Sequence, residues 1–150
     1  MKLWCFGDSN TYGYDPCGFF GGRYAAPWPE LLAEKTGNQV VNDGKNGRMI
    51  PGREYEFTQF HRDAGRYGAD ALIVLLGAND LLNGATAGEA AARMAAFLKR
   101  SGFCESHESI YFHIILVLRY KKRRPDHSGL CAEGGIGEPA TVAGLLYDLL

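Results

Sequence analysis

At 150 residues the chain is long enough for one α/β domain with a proper core and too short for two ordinary ones. Its 46% hydrophobic and 22% charged residues, with a formal net charge of −1, describe a soluble globular protein and exclude a disordered, fibrous or low-complexity one. No stretch approaches a membrane span, and only four apolar residues separate Lys2 from Gly7, too few for a secretory leader, so a cytoplasmic location is expected.

Leu3-Trp4-Cys5-Phe6 is a short apolar run ended by Gly7, the pattern of a buried strand entering a tight turn. Pro27 and Pro29 open a segment, Glu30 to Lys35, that stops at Gly37, and proline at the start with glycine past the end marks a helix. Gln39 to Asn42 reads as a second strand. A glycine-bearing loop, DGKNGRMIPG, then leads into a helix over Glu54 to Tyr67 with Phe57, Phe60 and Ala64 on one face. Ala71 to Leu76 is an unbroken ALIVLL run, which fits a central parallel strand covered on both faces. Thr86 and Glu89 have the spacing of a capping box, and Ala90 to Arg100 follows as a helix with Met94, Phe97 and Leu98 turned inward. Ile110 to Leu118 is the fourth strand.

Strand and helix alternate, so right-handed crossovers predict an α/β domain with a parallel, doubly wound sheet of about four strands. Ligands in such a sheet sit beyond the carboxyl ends of the strands. Three strand ends run into loops rich in catalytic residue types: Gly7-Asp8-Ser9-Asn10-Thr11, Asn42-Asp43-Gly44-Lys45-Asn46-Gly47, and Gly77-Ala78-Asn79-Asp80. Ser9 just past a strand end suits a nucleophile whose hydroxyl and backbone N–H face one crevice. Gly47 offers a backbone N–H that a substrate can approach closely, and Asn79 offers a side-chain amide. Three donors converging on one oxygen make an oxyanion hole. Each feature alone is ordinary turn or cap chemistry, and their shared strand-end placement gives the joint reading its weight.

In these three blocks the sequence resembles the GDSL/SGNH hydrolases. FGDSNTYGYDP looks like the family's first block, VVNDGKNGR like its second and LLGANDLL like its third. The long form GDSNTYGYDP, followed by GGRY and Trp28-Pro29, is most similar to the small intracellular arylesterase and acetylesterase branch. The resemblance implies a flavodoxin-like three-layer α/β/α fold, Ser9 as nucleophile, and oxyanion donors from Ser9, Gly47 and Asn79, with Asp8 in support. It also implies acyl transfer on small esters without a metal or organic cofactor.

The resemblance covers roughly residues 1–100 of a single domain spanning 1–150, and residues 101–150 form a divergent tail in which no fifth strand-helix unit is legible. The family's last block is an Asp, two residues, then a His, and it has no counterpart here. Asp126-His127 is the nearest approach, which makes His127 the candidate base and Asp126 its support. Adjacent side chains usually point apart, so weak activity is expected. His61 falls on a predicted helix surface, His113 inside an apolar strand, and His107 at the amino end of the sheet. An abrupt loss of pattern of this kind is expected from a truncation with a replaced tail or from a change of reading frame.

The other readings have less behind them. Cys5, Cys17, Cys104 and Cys131 lie far apart, without metal spacing, and read as reduced thiols. Arg119, Lys121, Lys122, Arg123 and Arg124 form one basic run, leaving 11 of the 16 basic residues against 17 acidic ones elsewhere. A solvated loop is the expected role of that run, rather than nucleic-acid binding. The GGIGEP stretch at Gly134 to Pro139 lacks the lysine of a phosphate loop. The expected partners are a small ester and a second copy of the chain, docked through the fourth strand, which would be an apolar sheet edge, or through Thr141 to Leu150. A catalytically inactive binding domain that keeps the oxyanion pocket is the competing function.

Overall fold

The computed structural model describes residues 1–18, 22–103 and 112–113. The sequence-based expectations for His107, the basic run, Asp126, His127, GGIGEP, Cys104, Cys131 and the closing segment fall outside the described residues, as does most of the strand expected over 110–118.

β1 (Lys2–Gly7) forms the axis of the sheet. It pairs in parallel with β4 (Gln39–Gly44) on one side and with β5 (Ala71–Leu75) on the other. β6 (Phe112–His113) lies parallel against β5, giving the order β4-β1-β5-β6. A strand with neighbours on both sides and helices on both faces has no polar face, which is why LWCF and ALIVL lack a two-residue alternation.

The two faces of β1 build two cores. Trp4 and Phe6 join Leu72 and Val74 beneath α3 (Glu54–Tyr67) and α5 (Ala87–Ser101), whose Phe57, Phe60, Met94 and Phe97 close that layer. The Trp4 ring stacks on Phe60 at 4.7 Å, and Phe97 stacks on Phe6 at 5.6 Å. Burying a ring of this size stabilises by roughly 2–3 kcal/mol, so the cluster anchors the layer. On the opposite face Leu3, Cys5 and Ile73 meet Trp28 and Leu32 of α2 (Trp28–Thr36). Helix, sheet and helix make the three-layer flavodoxin-like arrangement expected from the sequence.

α3 has the expected limits. α5 begins at Ala87 rather than Ala90, because Thr86 accepts the Glu89 N–H at 3.2 Å while Glu89 accepts the Thr86 N–H at 2.7 Å, and the box fixes the first turn. α2 begins at Trp28, with Pro29 inside its first turn, where the missing N–H costs nothing. Three short elements were not anticipated. They are α1 (Ser9–Tyr12), α4 (Ala78–Leu82) and the hairpin of β2 (Tyr14–Asp15) with β3 (Gly22–Arg23). Each is too short to show a period.

Candidate active site

The chain leaves β1 at Gly7 and enters α1 almost at once. Asp8 sets that turn, since its Oδ1 accepts the Asn10 backbone N–H at 2.9 Å and the Asn10 side-chain amide at 3.0 Å. A carboxylate at this position satisfies a donor that the helix start would otherwise leave open. Asp8 is buried, and burial pushes its pKa above the ordinary 3.8, against the bonds from Asn10 and the charge of Arg48. Ser9 is the first helical residue and is partly exposed.

The end of β4 is the seat of α1. A methyl group added to Gly44 would stand 2.0 Å from the Tyr12 nitrogen and 2.4 Å from its Cα, so the absence of a side chain lets the helix backbone lie on the strand. Gly7 is level with Gly44 on one side and with Leu75 on the other. The segments carrying Ser9, Gly47 and Asn79 therefore leave the same carboxyl edge of three adjacent parallel strands.

Gly47 lies in the turn after β4 with φ +74°, a left-handed backbone that glycine adopts without strain, and it is exposed. Arg48 follows it and turns inward. Its Nη1 donates to the Gly7 carbonyl at 3.0 Å and also to the Asp43 carbonyl, and its Nη2 donates to Asp43 Oδ1 at 2.7 Å. The guanidinium carbon lies 4.0 Å from the centre of the Phe6 ring, a cation–π contact. Asp43 is buried, with its other oxygen on Trp4 Nε1 at 3.1 Å, so the pair is satisfied on both sides.

Asn79 stands on α4, and its Nδ2 donates to the Arg48 carbonyl at 2.9 Å. The next residue, Asp80, is fully buried and accepts the Ile50 N–H at 3.0 Å and Arg93 Nη1 at 3.0 Å. Two consecutive side chains of α4 thus hold the loop that carries Gly47. Neither the Ser9 nor the Gly47 backbone N–H has an acceptor among the described residues.

Arg48, Asp43, Gly44 and Asp80 stand inside the three sequence blocks without a role that the sequence alone assigns them. The available signal was an acidic residue and an arginine five positions apart across a glycine-rich loop. His61 lies exposed on α3, its ring 5.7 Å from that of Phe60. A groove of about 1190 Å³ opens beside the site, lined by Lys45, Gly47, Met49, Pro51 and Gln59 among others. Ser9 and Asn79 are not among its walls, so the groove meets the site only through Gly47 and Arg48. Among the described residues no cluster of His, Cys, Asp and Glu gathers to hold a metal, and no helix is long and apolar enough to cross a membrane.

The sequence profile of the GDSL-like lipase/acylhydrolase family matches residues 5–126. The chain belongs to this family. Among solved structures, this GDSL-family chain is similar to a carbohydrate acetylesterase family member from Sinorhizobium meliloti, with 25% identity and a TM-score of 0.53 over 66% of this chain and 54% of that one. It is also similar in fold to a protein assigned as an arylesterase from Agrobacterium tumefaciens str. C58, with 24% identity and a TM-score of 0.55 over 65% and 53% of the two chains. A third similar fold is a member of the lipolytic protein G-D-S-L family from Veillonella parvula DSM 2008, with 21% identity and a TM-score of 0.52 over 67% and 52%. The aligned part spans about half the length of each of these proteins. A search of curated proteins gave no match.

Proposed function

We propose that this GDSL-family chain is a serine esterase that hydrolyses small acyl or acetyl esters through an acyl-serine intermediate. Ser9 Oγ attacks the ester carbonyl carbon, and the negative charge that forms on the carbonyl oxygen is received by the N–H groups of Ser9 and Gly47 and by the Asn79 amide. Collapse expels the alcohol, and water then attacks the acyl-enzyme, releasing the acid and restoring Ser9. His127, with Asp126 beside it in sequence, is the proposed acceptor of the Ser9 proton and the donor to the leaving alcohol.

The observation that carries this reading is the Asn79 amide resting on the Arg48 carbonyl at 2.9 Å. One N–H is tied to the loop of Gly47, which fixes the plane of the amide and leaves its second N–H as a donor of set orientation. A donor fixed before charge develops is worth far more than one that must reorganise. Family membership supports ester or acyl hydrolysis, and the similarity to a carbohydrate acetylesterase family member supports a small acyl group.

Turnover of p-nitrophenyl acetate by the intact chain, compared with Ser9→Ala and His127→Ala, tests the proposal. Slow hydrolysis that depends on both residues is expected, because the spacing of Asp126 and His127 departs from the family pattern. Hydrolysis unchanged in Ser9→Ala would refute the nucleophile. Complete absence of turnover and acylation would identify the chain as an inactive domain.

A further inference from the structure

We infer that Arg48 is a positioning residue that sets the oxyanion donors of this site, an inference that rests on the esterase reading above. No other side chain among those described touches so many parts of the strand edge. Its guanidinium binds the Gly7 carbonyl at 3.0 Å, and Gly7 is the last residue of the strand that delivers Ser9. It binds both the carbonyl and the carboxylate of Asp43, near the end of the strand that delivers Gly47. Its own carbonyl receives the Asn79 amide. One residue thus ties together the three segments from which the proposed donors come.

The geometry demands an arginine rather than a positive charge alone. A planar guanidinium presents several N–H groups in a rigid fork, so it can serve the Gly7 carbonyl, the Asp43 carbonyl and the Asp43 carboxylate together, whereas an ammonium is a compact point charge. The side chain is only 11% exposed and its charge is matched by Asp43, which is 4% exposed, so the fork is screened little by solvent. Phe6 adds a cation–π contact, its ring centre 4.0 Å from the guanidinium carbon. Arg48 needs no contact with substrate to act. It places its own carbonyl, and hence Asn79, and it fixes the residue that directly follows Gly47.

The consequence is a defect in chemistry rather than in binding. Displacement of a catalytic donor by about 1 Å can lower the rate about a hundredfold, while ground-state contacts persist. In Arg48→Lys, kcat for p-nitrophenyl acetate is expected to fall roughly tenfold to a hundredfold with KM nearly unchanged. The double variant Arg48→Met with Asp43→Asn removes both charges, so it leaves no buried carboxylate unpaired, and it is expected to fold and show the same loss.

A second readout is independent of turnover. In ¹⁵N-labelled protein, the Asn79 side-chain proton that rests on the Arg48 carbonyl should exchange with solvent more slowly than those of exposed asparagines, and several-fold faster in Arg48→Lys. Accelerated exchange together with a kcat loss supports the positioning role. Unchanged Asn79 exchange in a folded Arg48→Lys overturns it, as does a loss confined to KM. If the wild type neither turns over nor labels at Ser9, the esterase reading fails, and the exchange comparison still decides whether Arg48 sets the Asn79 amide.

Discussion

Asn79 Nδ2 donates to the Arg48 carbonyl at 2.9 Å across 31 positions of sequence. The bond joins α4, which follows β5, to the loop that follows β4, over the end of the strand between them. For Asn79→Ala, which loses both this tie and the proposed donor, we expect kcat to fall about a hundredfold or more. The stability cost should be small, about 1 kcal/mol, because the bond is only partly buried. Steady-state kinetics beside thermal unfolding separates the two effects.

Gly44, at the end of β4, and Gly47, in the turn after it, should lose very different amounts of stability on replacement by alanine. Gly44→Ala drives a methyl group into the Tyr12 backbone at 2.0 Å, and the atoms it meets, in Tyr12 and Thr11, are main-chain atoms that cannot swing away. A loss of about 3 kcal/mol or more is expected, a fall of roughly 6–12 °C in the unfolding midpoint. Gly47→Ala meets nothing within 4 Å and has only its φ of +74° against it, so about 1 kcal/mol is expected. Equal melting temperatures for the two variants would contradict this account of the seat of α1.

Asp80 bears on the loop from below. Asp80→Ala leaves the Ile50 N–H buried without its acceptor and Arg93 without its ion pair, and a destabilisation of about 2–4 kcal/mol is expected. Asp80→Asn keeps one acceptor oxygen and should cost clearly less. Denaturant unfolding of the two variants measures the difference, and equal losses would assign the effect to charge alone.

The pH dependence has a definite sign at Asp8. Its pKa in the folded chain is raised, chiefly by burial, so the folded state holds the proton more tightly than the unfolded state. Stability therefore falls as pH rises from the ordinary carboxylate pKa through the raised one, and the penalty is complete only above the raised one. Asp8→Asn keeps an oxygen for the Asn10 N–H and removes the buried charge, so it should melt higher than the wild type at neutral pH. That advantage should vanish below the carboxylate range. A gain that is largest in acid would show that the Asp8 pKa is not raised on folding.

The sequence made the layers legible because their signals repeat. The ALIVL run repeats one signal along β5, the buried Phe57 and Phe60 mark one face of α3, and the pair Thr86 and Glu89 marks the start of α5. The strand-end placement of Ser9, Gly47 and Asn79, the proposed site residues, was legible for a different reason, since a parallel sheet presents ligands beyond the carboxyl ends of its strands. What escaped was long-range. β4 runs past Asn42 by pairing Asp43 and Gly44 with Phe6 and Gly7, and the Asp43 carboxylate is held by Trp4 and Arg48, partners that local spacing does not mark. α1 was equally hidden, as one helical turn has no period, and its seat depends on a glycine 32 positions beyond Tyr12.

The proposed esterase requires that Ser9 become covalently acylated. The direct measurement is peptide mapping by mass spectrometry after brief mixing of the intact chain with p-nitrophenyl acetate and an acid quench. One acetyl group is expected, located on Ser9, lost with time in buffer and absent from Ser9→Ala. An acetyl group found only on lysines, present equally in Ser9→Ala, would contradict it.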